Sequence, residues 1–96
     1  MSVEVRIPTI LRTYTDGEKA VSGEGATLSE VIEDLETNHP GLKDRLVEAK
    51  DDKVDLRRFV NVYVNDEDVR FTGGLGTSVR DGDSVTVLPA VAGGAR

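Results

Sequence analysis

The chain has 96 residues, 18 acidic against 12 basic, for a formal net charge of −6, and it contains no cysteine. A chain of this length makes one domain whose core forms without metal or disulfide, burying roughly 60–65% of the surface exposed on unfolding. The acidic balance excludes binding of nucleic acid or anionic membrane by general electrostatics and favours a basic partner groove, while the missing cysteine excludes a disulfide, a thiol nucleophile and a Cys-based metal site.

Met1-Ser2 leads straight into a strand pattern without a basic n-region or apolar h-region, and no apolar run approaches membrane length, so a cytoplasmic chain is expected. Val3, Val5 and Ile7 alternate with Ser2, Glu4 and Arg6, which predicts a strand with one buried face, stopped by Pro8. Leu11 to Tyr14 leads into the turn dipeptide Asp16-Gly17, and Lys19 to Ser22 returns as a short second strand of a hairpin. Thr27-Leu28-Ser29-Glu30 is a capping box: the threonine hydroxyl accepts from the amide three residues on, and the glutamate reaches back to the cap. Leu28, Val31, Ile32 and Leu35 then form one apolar stripe at helical spacing, with Glu30, Glu33, Asp34 and Glu36 facing water. Asn38-His39-Pro40-Gly41 ends that helix.

Leu42, Arg45, Leu46 and Glu48 predict a short second helix, followed by a solvated loop at Lys50 to Lys53. Phe59 to Val64 sets Val60, Val62 and Val64 on one face, the pattern of a central strand. Asn65 to Asp68 reads as a turn, Val69 to Phe71 as a short edge segment and Thr72 to Gly76 as a flexible loop. Asp81-Gly82-Asp83 turns into the last strand, Ser84 to Leu88, where Pro89 removes a ladder donor and is expected to end the sheet. The predicted class is α+β: a mixed sheet of four to five strands with one main helix packed across one face, the first and last strands side by side. Residues 1–89 form this domain and 90–96 a flexible tail.

No set of residues reads as a catalytic centre or a metal site. His39 has no partner at motif spacing and sits at a helix end. Gly73 to Ser78 has glycines and hydroxyls but no lysine for a phosphate loop, and Asp51, Asp52 and Asp55 lack the glycine and the twelfth-position glutamate of a calcium loop.

The tail carries the chemistry. Ala90 to Gly94 spans roughly 15 Å when stretched at ~3.3 Å per residue. Gly93 and Gly94, lacking Cβ atoms, suit a channel too narrow for side chains. Such a tail fits a substrate whose carboxyl end is worked on inside another protein; a frayed terminus is the alternative. By strand alternation Leu88 points away from the helix, and with Phe71, Leu75 and Val91 it forms a candidate docking patch, unless Phe71 is core.

Val3 to Arg12, Phe59 to Phe71 and Asp81 to Gly94 together resemble the ubiquitin-like sulfur carriers of the ThiS/MoaD type, most closely those serving cysteine synthesis. The resemblance implies a β-grasp fold, with Gly94 converted to a thiocarboxylate and Ala92 and Gly93 threading the channel. It implies an E1-like adenylating partner that uses ATP, a sulfurtransferase or sulfide source, and a sulfur-accepting, cysteine-synthase-like enzyme; the chain itself is no enzyme and binds no cofactor. Members of this family act with Gly-Gly at the end, whereas Ala95-Arg96 follows here. The full chain is therefore expected to be a precursor trimmed by a zinc-dependent JAMM-type peptidase. A cloning remnant, and activation of Arg96 itself, stay open beside that reading. Thiamin, molybdopterin or thio-natural-product synthesis remain alternative destinations for the sulfur. A ubiquitin-like modifier joined to lysines and a plain interaction domain are the alternative functions.

Overall fold

The computed structural model describes residues 2–50, 52–57 and 60–89. Alternation at the N-terminus produces strand β1 (Ser2–Arg6), with Val3 and Val5 buried and their neighbours exposed. The expected hairpin forms, β1 pairing with the strand after Asp16-Gly17, and its loop is structured. Pro8, extended at ψ 155°, opens a 3-10 helix over Thr9–Thr15 that places Leu11 in the core. Its signal was the spacing of three from Pro8 to Leu11 to Tyr14, the 3-10 period, with proline pre-set for the entry. Strand β2 (Ala20–Glu24) follows, antiparallel to β1 in the register Val3 to Gly23 and Val5 to Val21.

Helix α1 (Leu28–Asn38) starts as its sequence predicts. Thr27 Oγ1 accepts from the amide of Glu30 at 3.3 Å, and Glu30 Oε1 accepts at 2.8 Å from the amide of Ala26, one residue before the cap. Leu28, Val31, Ile32 and Leu35 are all buried against the sheet. Gly23 lets the helix approach β2: a Cβ there would lie 2.9 Å from Val31 Cγ1, closer than packed atoms allow.

Helix α2 (Leu42–Leu46) is shorter than predicted, because Glu48 belongs to strand β3 (Val47–Lys50). Strand β4 (Lys53–Leu56) pairs with it antiparallel, from Val47 opposite Leu56 to Lys50 opposite Lys53, so the expected loop is the tip of a two-stranded ribbon. Its apolar anchor is one buried pair, Val47 and Leu56. The charged run conceals so brief an alternation.

Strand β5 (Val60–Val64) buries its three valines. Asn65 and Asp66, both at positive φ (50° and 71°), turn the chain into the two-residue β6 (Glu67–Asp68). Two positive φ values in a row match the twist of the flanking strands. The predicted edge segment is a 3-10 turn over Val69–Phe71 with Val69 buried, and the expected loop contains another over Gly74–Gly76.

Strand β7 (Ser84–Pro89) completes a five-stranded sheet in the order β2-β1-β7-β5-β6. It runs parallel to β1 and antiparallel to β5, so β7 holds the centre and β5 lies between it and β6. This is a β-grasp, ubiquitin-like fold: a mixed sheet crossed on one face by α1. Among the described residues no helix is long and apolar enough to cross a membrane.

Candidate functional site at the root of the tail

The predicted chemistry falls on Ala92, Gly93 and Gly94, the predicted trimming on Ala95 and Arg96, and part of the docking patch on Val91; all lie outside the described residues. The structure does define the platform from which the tail departs.

That platform is strand β7, fixed at its start by a polar lock. Asn65 Nδ2 donates to Asp83 Oδ1 at 2.9 Å, the amide of Ser84 donates to Asn65 Oδ1 at 3.0 Å, and the amide of Arg80 donates to Asp83 Oδ2 at 2.8 Å. Chiefly through the Asn65 bond, then the Arg80 amide, the Asp83 carboxyl is held below its ordinary pKa. The same turn is tied to β1, since the amide of Ser2 donates to Asp81 Oδ1 at 3.0 Å and that of Glu4 to the carbonyl of Asp83 at 3.1 Å.

At its far end β7 continues one residue further than expected: Pro89 is paired in register with Val60. Antiparallel pairs alternate between hydrogen-bonded and non-hydrogen-bonded positions. The amide of Asn65 donates to the carbonyl of Ser84, which makes 65–84 a bonded position and puts Val60 and Pro89 on a non-bonded one. Proline's missing N–H therefore costs nothing there, and the Val60 amide donates instead to the carbonyl of Arg57 at 3.0 Å. Arg70 braces the same end of β5, with one guanidinium nitrogen on Asn61 Oδ1 and the other on the carbonyl of Val60 at 2.7 Å.

Leu88 points to the open face of the sheet, 45% exposed, as alternation predicts. Phe71 is 86% exposed and thus outside the core. Leu75 is half-buried and packs against the core cluster beside α1 and β4. The companion of Leu88 is Ile10, 68% exposed on the 3-10 helix; both line an open groove of about 590 Å³ with Pro8 and Pro89, which neither Phe71 nor Leu75 lines. Ile10 is absent from the sequence-predicted patch because the hairpin's loop carries no strong local signal for the 3-10 helix that turns it outward.

The groove's charges are Arg6, Arg12, Lys19 and Glu4. Arg12 Nε donates to the carbonyl of Ile7 at 3.1 Å, and Arg6 meets Glu4 at 3.6 Å across solvent. Net charge favours a basic partner surface; here the surroundings of the tail root carry three cations against one acid, because an average says nothing about distribution. A second groove, about 570 Å³, shares Pro8, Ile10, Val87 and Pro89 with the first and is further lined by Leu11, Tyr14, Arg45, Glu48, Arg57 and Val60. Arg45 Nε donates to Tyr14 Oη at 2.7 Å. Among the described residues no group of three or more His, Cys, Asp or Glu side chains could hold a metal ion. His39 is half-buried at the end of α1, where its backbone amide donates to the carbonyl of Leu35 at 2.7 Å.

A family model described as the ThiS family matches residues 5–94. The chain belongs to the ThiS family. The sulfur carrier protein CysO of Mycobacterium tuberculosis is 61% identical over 94 residues, covering 98% of this chain and all of that protein. A chain in the crystal structure of an Amycolatopsis orientalis BexX/CysO complex superposes with a TM-score of 0.87 at 61% identity, over 96% of this chain and 99% of that one. Small archaeal modifier protein 3 of Haloferax volcanii is 36% identical over 97 residues, covering 98% of this chain and all of that protein. The ThiS family match ends at Gly94, with Ala95 and Arg96 beyond it.

Proposed function

We propose that this ThiS-family chain is a sulfur carrier whose Gly94 carboxyl is adenylated and then converted to a thiocarboxylate. The observation that carries the reading is the full-length likeness, at 61% identity and on the same fold, to a protein named as a sulfur carrier.

The chemistry follows from the carboxylate. Its charge is delocalised, so it is a poor electrophile, and it must first attack the α-phosphorus of ATP to form an acyl-adenylate with release of pyrophosphate. Sulfide then adds to the activated carbonyl, the C–O bond to AMP breaks and AMP leaves. The resulting thiocarboxylate is ionised near neutral pH, since a thioacid is far stronger than a thiol of pKa about 8.5. This chain contributes a carboxyl terminus on a rigid platform; an E1-like enzyme contributes ATP chemistry, and an acceptor, a cysteine-synthase-like enzyme on the CysO likeness, consumes the sulfur. We place this exchange in the cytoplasm, where ATP is supplied.

An amide-bonded Ala95 leaves Gly94 no free carboxylate, so the chain bearing Ala95-Arg96 is an inactive precursor. A JAMM-type zinc peptidase, whose metal-activated water attacks an extended peptide bond, is the proposed trimming enzyme. To test this, the full chain and a chain ending at Gly94 are each given the adenylating enzyme, ATP and sulfide. A gain of about 16 Da, oxygen replaced by sulfur, is expected on the shorter chain only. Efficient loading of the untrimmed chain would move the reactive terminus to Arg96.

The Haloferax volcanii modifier relative favours a second reading, a ubiquitin-like modifier. It uses the same adenylate but ends in an isopeptide bond. Mass spectrometry of cell extracts separates the two, because a modifier appears joined to lysines of other chains.

A further inference from the structure

We propose that the free edge of strand β2 takes up an extended, basic segment of a partner protein as an added strand of the sheet, antiparallel to β2. The site lies apart from the tail, since β1 stands between β2 and β7, and it does not rest on the sulfur-carrier reading. Three observations carry it.

The first is an open row of backbone groups. β2 pairs with β1 alone. The amide of Ile7 donates to the carbonyl of Lys19 at 2.8 Å, so 7–19 is a bonded position, and alternation makes Val5–Val21 and Val3–Gly23 bonded as well. Ala20, Ser22 and Glu24 therefore turn their N–H and C=O groups away from β1. The amide of Glu4 gives the same phase from the other strand, donating to the carbonyl of Asp83 rather than toward Ser22. Among the described residues one of these outward groups is engaged, the Glu24 amide, which donates to Asp34 Oδ2 at 3.1 Å.

The second is the lack of a guard. Edge strands are blunted by shortness, charge, proline or bulges, because an open ladder pairs with whatever strand it meets. The opposite edge of this sheet follows that rule, as β6 is two acidic residues long. β2 has five residues in unbroken register with β1, and Ala20-Val21-Ser22-Gly23 carries neither charge nor proline. On the helix side Val21 is only half-buried against the core, which leaves an apolar flank beside the edge.

The third is charge, which chooses the occupant. At the Glu24 end two carboxylates stand on opposite faces of the sheet, Glu24 on the open face beside Ser2 and Asp34 on the side of α1. Among the described residues no cationic nitrogen lies within 4.0 Å of either. Successive side chains of a strand point to opposite faces, so two adjacent basic residues of the added segment meet one carboxylate each. Main-chain bonds then supply affinity and the basic pair supplies register. A second copy of this chain would bring its own net charge of −6 to the same edge, which favours a basic partner instead.

The test uses the full chain, labelled with nitrogen-15, and the probe peptide acetyl-Arg-Arg-Val-Thr-Val-Thr-amide, whose basic pair an antiparallel partner sets beside Glu24. With saturating peptide the amides of Ala20 and Ser22 are expected to exchange with deuterium about tenfold more slowly. Ser22→Pro removes an N–H that the fold does not use, and proline is tolerated on the open side of an edge strand, so Tm should change little. It should weaken peptide binding about tenfold, whereas Ser22→Ala, which removes only the hydroxyl, should stay within about twofold of the native chain. A peptide with Glu-Glu in place of Arg-Arg should bind about tenfold more weakly at low salt. Exchange at Ala20 and Ser22 that the peptide does not move, equal losses in the two Ser22 variants, or equal affinity for the two peptides would each overturn the proposal. If Ser22→Pro fails to fold, the exchange measurement on the native chain decides. Slow exchange at Ala20 and Ser22 without any peptide would also overturn it, assigning the edge to a second copy where dilution restores fast exchange and to this chain's own tail where it does not.

Discussion

The two faces of the sheet obey different rules. On the face crossed by α1, Val3, Val5, Val62, Val85 and Val87 meet Leu28, Val31, Ile32 and Leu35 with at most 3% of any side chain exposed. On the open face Glu4, Arg6, Thr86 and Leu88 stand beside Asn61 and Tyr63 with no layer over them. The same strands supply both faces, so the contrast is one of packing demand. The covered face can take only apolar groups of the right volume, whereas the open face tolerates any side chain that fits a strand. A residue type that packing does not require, such as leucine at 88, is therefore informative on the open face and uninformative on the covered one.

The strongest way to break that comparison is Ile32→Ala. On the covered face it should cost about 2–5 kcal/mol through lost transfer energy and a cavity, read by denaturant unfolding. If its midpoint hardly moves, α1 does not cover the sheet in this register. Gly23→Ala probes the same face from the other side. The new Cβ would sit 2.9 Å from Val31 Cγ1 and 3.5 Å from Leu35 Cδ2, so a loss of about 1–3 kcal/mol is expected from overpacking. An unchanged melting curve would mean that α1 does not lie as close to β2.

Leu88→Ala should separate the faces. Its stability cost should stay within about 1 kcal/mol, because the side chain is already half in water. Its KM in pyrophosphate exchange should nonetheless rise while kcat holds. A large stability loss would make Leu88 a structural residue and remove the contrast.

The smallest effect expected is the pH response of the lock at the start of β7. The folded pKa of Asp83 is lowered by its bonds to Asn65 and the Arg80 amide. A lowered carboxyl contributes stability that is complete above the unfolded value of about 3.9 and is lost as pH falls through the folded one. Asp83→Asn should accordingly lose less stability than the native chain as pH drops below about 4, read as Tm against pH. Parallel curves for the two would show that the lock is not formed by the ionised carboxylate.

The chain order by itself determined much of this protein. Alternation at Val3 to Ile7 and at Val60 to Val64 marks strands, since the pleat sends successive side chains to opposite faces. The Thr27–Glu30 box and the stripe from Leu28 to Leu35 mark α1, since its start signal and its period agree. These are local signals, and local signals survive in one dimension. The Gly-Gly tail is a local signal too, and its role belongs to the proposed function. The tertiary structure decided what depends on neighbours distant in sequence. It put β7 rather than β5 at the centre, because parallel pairing with β1 inserts the last strand between the first and the fifth. It made Lys50 to Lys53 the tip of a ribbon, because one buried pair outweighs a charged run. It seated Pro89 harmlessly in the ladder, because register alone sets which positions need a donor. And it brought Ile10 to Leu88, almost eighty residues away along the chain, because the hairpin's loop after Pro8 folds as a 3-10 helix. A docking surface is a relation between residues that only folding makes adjacent.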